Sequence, residues 1–115
     1  MIKINKNTLD IELVRGDTGT FSFYLIDHNT KKSLLNDGDH IDFKIKKVSG
    51  DEILIEKTVE SFPNGLVTIP LPPKETIELE ADNYIYSLVF VRKDGNVDTL
   101  NPNRPYSNFT VKEKI

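Results

Sequence analysis

Catalysis and metal binding need particular side chains at workable spacing, and this chain offers few. Its two histidines, His28 and His40, both stand beside Asp- and Asn-rich turns. A zinc site takes three or four nitrogen or sulfur ligands. With 0 cysteines, only Asp27, Asp37 or Asp39 could complete one, and turn chemistry already accounts for those residues. Asn36-Asp37-Gly38-Asp39 looks like a fragment of a calcium loop. The oxygen ligands and bidentate Glu that such a loop requires do not follow it. Glu52, Glu56, Glu75, Glu78 and Glu80 are plentiful, but glycoside hydrolysis needs two carboxylates facing across a cleft, and their spacing pairs none of them. No histidine follows His40 and no Gly-x-Ser-x-Gly elbow exists, so serine hydrolysis lacks both its base and its nucleophile turn. No glycine loop could cradle a phosphate. The expectation is a protein that is not an enzyme, with no catalytic residue, no metal and no cofactor.

Arg15-Gly16-Asp17 spells an integrin-binding tripeptide. A glycine between two strands is needed for the chain reversal in any case. Gly16 and Asp17 are therefore read as structural, with Asp17 capping the turn through Thr18 and Thr20. Asn108-Phe109-Thr110 matches a glycosylation sequon, but is read as strand sequence.

Size and composition narrow the classes further. The 115 residues fit one domain, with 37% hydrophobic and 29% charged residues, values typical of a folded chain. Lacking cysteine, it can form no disulfide and carries no thiol nucleophile. A net charge of −3 argues against nucleic-acid binding, which rests on clustered Lys and Arg. Lys44, Lys46 and Lys47 form a local basic spot, read as a solvated strand face. No apolar run reaches the roughly 18 residues of a membrane span, and residues 1–7 are too short and polar for a secretory core. The expected setting is a cytoplasm, unless the chain is released by lysis or carried on a particle.

The elements that position these residues are strands. Period-2 alternation, cut by Gly, Asn, Asp and Pro, recurs along the chain. Strands are expected over 10–14, 20–26, 40–48, 53–61, 66–71, 83–91, 97–100 and 107–111, with a short edge strand at 32–35. Asn64-Gly65 predicts a two-residue hairpin turn, since both of its central positions tolerate positive φ. Residues 74–80 form the one helical candidate, a crossover of a turn or two. Strand 83–91 is apolar on both faces, as a central strand would be. About eight or nine antiparallel strands leave a sandwich or a barrel. The array Leu79-x-x-Asp82-x-Tyr84-x-Tyr86 favours an immunoglobulin-like β-sandwich. It has the layout of a tyrosine corner, with Tyr84 as the corner and Tyr86 where antibody domains carry a cysteine.

Several segments together resemble a known family. They are Asp10-Ile-Glu-Leu-Val-Arg-Gly-Asp-Thr18, Phe21-Ser-Phe-Tyr-Leu-Ile-Asp27, the stretch 34–47, Gly65-Leu-Val-Thr-Ile-Pro-Leu71, Tyr84-Ile-Tyr-Ser-Leu88, Asp94-Gly-Asn-Val-Asp-Thr-Leu100 and Asn108-Phe-Thr-Val111. Their order is similar to the immunoglobulin-like N-terminal domains of baseplate upper proteins and related prophage tail proteins of Gram-positive bacteria. The chain departs from that pattern at Asn36-Asp37-Gly38-Asp39, where Gly-Ala is usual, and at Arg104-Pro105. The resemblance implies a non-enzymatic tail or baseplate module, assembling with other virion proteins or with its own copies. Carbohydrate binding is the alternative, with Tyr24, Tyr106 and Phe62 as the available rings and no Trp.

Overall fold

Alternation puts Ile41, Phe43 and Ile45 on one face of a long strand, and all three are fully buried. The computed structural model describes residues 2–114 and repeats this logic along the chain. The strands are β1 (Lys3–Ile4), β2 (Ile11–Val14), β3 (Phe21–Tyr24), β4 (His40–Lys47), β5 (Ile53–Val59), β6 (Leu66–Ile69), β7 (Asp82–Val91), β8 (Val97–Thr99) and β9 (Ser107–Lys112). One sheet runs β1-β2-β9-β7-β4-β5, with β8 also paired to β7, and β3 and β6 form a second, two-stranded sheet. The result is an all-β sandwich with layers of very unequal size. Among the described residues, no helix is long and apolar enough to cross a membrane.

The core lies between the layers. Ile11, Leu13, Tyr86, Leu88, Phe90, Phe109 and Val111 face Val67, Ile69 and Leu71, all buried. Each such side chain stabilises the fold by roughly 1.5–3 kcal/mol. Phe21 of the small sheet meets Phe43 of the large one edge-on, with centroids 5.8 Å apart. Tyr86 lies against Phe43 at 5.4 Å and against Phe109 at 6.1 Å, so it fills the middle of the inter-sheet space.

β7 is the central strand, flanked by β4 on one side and by β9 and β8 on the other. Its outward residue Ile85 is also buried. Residues 63–65 and 73–76 are short helical turns, the second (α1, Pro73–Thr76) being the expected crossover.

Three sequence expectations are corrected. The strands are not all antiparallel, because β2 runs parallel to β9, with Ile11 opposite Phe109 and Leu13 opposite Val111. Alternation specifies which face a residue takes but not strand direction, and no short hairpin constrains two strands from opposite ends of the chain. Asn64 and Gly65 do take positive φ, at 56° and 75°, yet they join no hairpin. The turn passes the chain from β5 in the large sheet to β6 in the small one. Residues 32–35 contribute only a single bridge, Ile26 to Ser33, rather than a strand.

Candidate functional site

The residues singled out in the sequence gather at the crossover. Gly16 turns the chain after β2 with φ of +85°, and a Cβ there would lie 3.0 Å from Ile77 Cδ1. The Asp17 carbonyl accepts a bond from Thr76 Oγ1 at 2.7 Å, so Asp17 helps hold the crossover through its backbone. Arg15 Nε donates to the Ile77 carbonyl at 2.9 Å. The tripeptide is thus tied against residues 76–77 and does not protrude. On the other side of the crossover, the Tyr84 hydroxyl donates to the Glu80 carbonyl at 2.7 Å, which is the backbone bond of a corner tyrosine. Burial raises the Tyr84 phenol above its ordinary range. Gly16, Asp17 and Tyr84 therefore brace one end of the sandwich.

Tyr86 is more deeply placed. Its hydroxyl donates to the carbonyl of Leu9, fastening the N-terminal segment to the core, and burial pushes its phenol strongly upward.

The candidate ligand groups stay apart. His28 is exposed, and His40 faces Asp42 at 3.5 Å. Glu75 pairs with Lys57 at 2.5 Å. The carboxylate of Asp39 accepts the backbone N–H groups of Lys93 and Asn36 at 2.9 and 2.8 Å. Those bonds, from Lys93 first, hold its carboxyl below the usual range and staple the 36–39 turn to the β7–β8 hairpin. Among the described residues, no three His, Cys, Asp or Glu converge on a point where a metal could sit. The three candidate sugar-stacking rings, Tyr24, Phe62 and Tyr106, each border a different surface depression. The Arg104 guanidinium covers the ring of Tyr106, 4.9 Å from its centroid.

Sequence reasoning missed Asn101, a buried residue. β7 pairs with β9 up to Tyr86 and with β8 from Val89, and the Asn101 side chain fills the gap between. Its Oδ1 accepts from Leu88 N–H at 2.8 Å and its Nδ2 donates to Ser107 Oγ at 2.9 Å. Ser107 Oγ in turn donates to the Thr8 carbonyl at 2.9 Å. An amide side chain here replaces a missing stretch of strand. Its one sequence signal is an Asn opening the loop before β9, and Asn in loops is common.

The more consequential surface is the small sheet. β3 pairs with β6 along one edge, with Phe21 opposite Ile69 and Phe23 opposite Val67. Ser33, bridged to Ile26, continues on the β6 side beside Gly65. Among the described residues, no strand pairs with the opposite edge of β3. Phe21, Phe23 and Leu25, the inward residues of this segment, remain only half-buried. They open on an apolar groove of about 480 Å³, walled by Ile4, Leu9, Leu88 and Leu100, with Lys6 on the rim.

Exposed edges are usually guarded by charge, proline, bulges or shortness. β1 has two residues and a lysine, β5 carries Glu56 and Lys57, and β6 runs into Pro70. The stretch 18–26 has no charge and no proline. This edge is unguarded. No protein-family model, curated protein or solved structure matches the chain.

Proposed function

We propose that the protein is a non-enzymatic assembly module of a phage or prophage tail or baseplate, and that it joins its neighbours by strand addition at the free edge of β3. The uncharged edge beside an apolar groove carries this reading. An unpaired row of backbone N–H and C=O groups is a template for a further strand, and the half-buried Phe21, Phe23 and Leu25 leave apolar surface for that strand to cover. The complement is an extended virion-protein segment, uncharged along its length with apolar residues at alternate positions. An acidic residue at its end would meet Lys6, the cation on the groove rim. The tail setting rests on the resemblance of the strand segments to baseplate upper proteins.

Particles purified from an induced producing strain, analysed by mass spectrometry, test the setting. The chain should co-purify with tails, and its absence from them would refute the assignment. The edge is tested separately with Ser22→Lys and Tyr24→Lys, both at exposed positions. These variants should fold normally but fail to enter particles. Normal incorporation would move the contact surface elsewhere.

A further inference from the structure

A second surface, on the outer face of the large sheet, has its complement on the same chain. In β4 and β5 the register slips between Ile45 and Lys46, which brings Ile53 opposite Lys46 instead of Leu54. That bulge turns Ile53 outward, where it is 44% exposed, and Val48 beside it is 62% exposed. Together with Ile85 and Tyr106 they line a cleft of about 550 Å³, on whose rim stand Lys44 and Lys46. Asp51 also borders the cleft, and Glu56 lies across the strand pair from Lys44. Among the described residues, neither lysine has a carboxylate within ion-pair distance. The cleft therefore offers an apolar floor beneath two cations that no close ion pair holds.

The crossover has the opposite character. Ile77 is 47% exposed and is followed by Glu78, Glu80 and Asp82, all exposed. Glu75 is neutralised by Lys57, but no cation among the described residues pairs with the other three. Val48, Ile53 and Ile77, three of the large exposed hydrophobics among the described residues, thus fall in these two patches. An aliphatic anchor flanked by carboxylates is what the cleft would take.

We propose that the acidic crossover of one copy, with Ile77 as its anchor and Glu78 and Glu80 beside it, docks into the Lys44–Lys46 cleft of a second copy. Where cleft and crossover engage the same neighbour reciprocally the pair closes as a two-fold dimer, and where they engage different neighbours the contact propagates into rings or open chains.

Sedimentation velocity of the intact chain, over a concentration series at low salt, tests the proposal. The average mass should rise with concentration above that of the monomer, and the rise should be lost in 0.5 M salt, where the screening length shrinks. The pair Lys44→Glu and Lys46→Glu should abolish the rise, and so should Glu78→Lys with Glu80→Lys. Mixing the two doubly substituted proteins should restore it, because each cleft then meets a complementary crossover. Restoration also shows that both variants are folded. A wild-type protein that stays monomeric throughout would overturn the proposal, as would association that survives either charge reversal. Association lost only in Ser22→Lys or Tyr24→Lys would overturn it too, assigning self-contact to the β3 edge and leaving the preceding reading intact.

Discussion

Asn101→Ala tests the claim that a side-chain amide stands in for missing strand. The substitution removes the acceptor of Leu88 N–H and the donor to Ser107 Oγ, both at buried residues. A buried polar group left unsatisfied costs about 1–3 kcal/mol. The Leu88 N–H bears that in full, while Ser107 keeps its bond to the Thr8 carbonyl and loses less. The expected loss is about 2–4 kcal/mol, a large part of the 5–15 kcal/mol typical of a domain. Urea unfolding should show the midpoint falling by about 1–2 M at an unchanged slope, and thermal unfolding should shift down by about 8–16 °C. Asn101→Asp adds a second arm. It keeps an acceptor for Leu88 N–H but places carboxylate oxygens toward Ser107 Oγ and the Tyr86 carbonyl, the partners of the lost amide donor. It should be no more stable than the alanine variant at neutral pH and should recover on mild acidification. A loss under about 0.5 kcal/mol for Asn101→Ala, the level of an ordinary surface substitution, would refute the reasoning.

Other substitutions probe the crossover and the titrating groups. Tyr84→Phe removes the bond to Glu80 while keeping the buried ring, and should lower stability by about 0.5–1.5 kcal/mol in urea unfolding. Gly16→Ala imposes positive φ on a residue with a Cβ and presses it on Ile77. It should destabilise by about 1 kcal/mol or more, read as a lower melting temperature with an unchanged urea slope. The contributions of the shifted tyrosines and aspartates should both be present between about pH 4 and pH 10. Tyr84 and Tyr86 have raised folded-state values, so their contribution is complete below about pH 10 and is lost as pH rises past the unfolded value. Asp27 and Asp39 are lowered by backbone N–H donors. Their contribution is present above about pH 4 and is lost as pH falls below it. Melting temperatures across the pH range check both limbs, and an alkaline limb unchanged in Tyr86→Phe would exclude Tyr86 as its source.

What the sequence made legible follows from what alternation encodes. Period two fixes which residues share a face, and Ile41, Phe43 and Ile45, with Tyr86 and Leu88 of the central strand, are buried as expected. It does not encode which strands are neighbours or in which direction they run. The parallel β2–β9 pair was hidden for that reason. Asn64-Gly65 has the dihedral angles of a hairpin turn, but whether the next strand pairs back or crosses to the other layer depends on the whole core. The β4–β5 bulge reverses the facing of one residue, Ile53, which the alternating pattern had placed inside. Gly16, Tyr84 and the crossover were readable because each rests on a local requirement: a positive φ, a hydroxyl four residues from its acceptor, a proline-led turn. The open edge of β3 was not, since an edge is defined by the absence of a neighbour. Only the absence of charge over 18–26 could have hinted at it.

The unequal layers leave apolar surface beside that edge. A two-stranded sheet facing a seven-stranded one covers only part of the larger sheet's inner face. The chain closes one end of the gap with the crossover, where Thr76 is fully buried and Leu79 nearly so. Along the other side, Ile4 and Leu9 of the N-terminal segment and Leu100 before the 101–106 loop approach the groove without filling it. A strand added to β3 would extend the small sheet over this gap, completing a layer the chain leaves short. Burial of apolar surface and backbone pairing would then favour the same partner geometry. In the unassembled protein, the amides of 21–26 should exchange slowly on the β6 side and quickly on the free side. On assembly, the free-side amides should become protected while those in the β4–β7 pair change little.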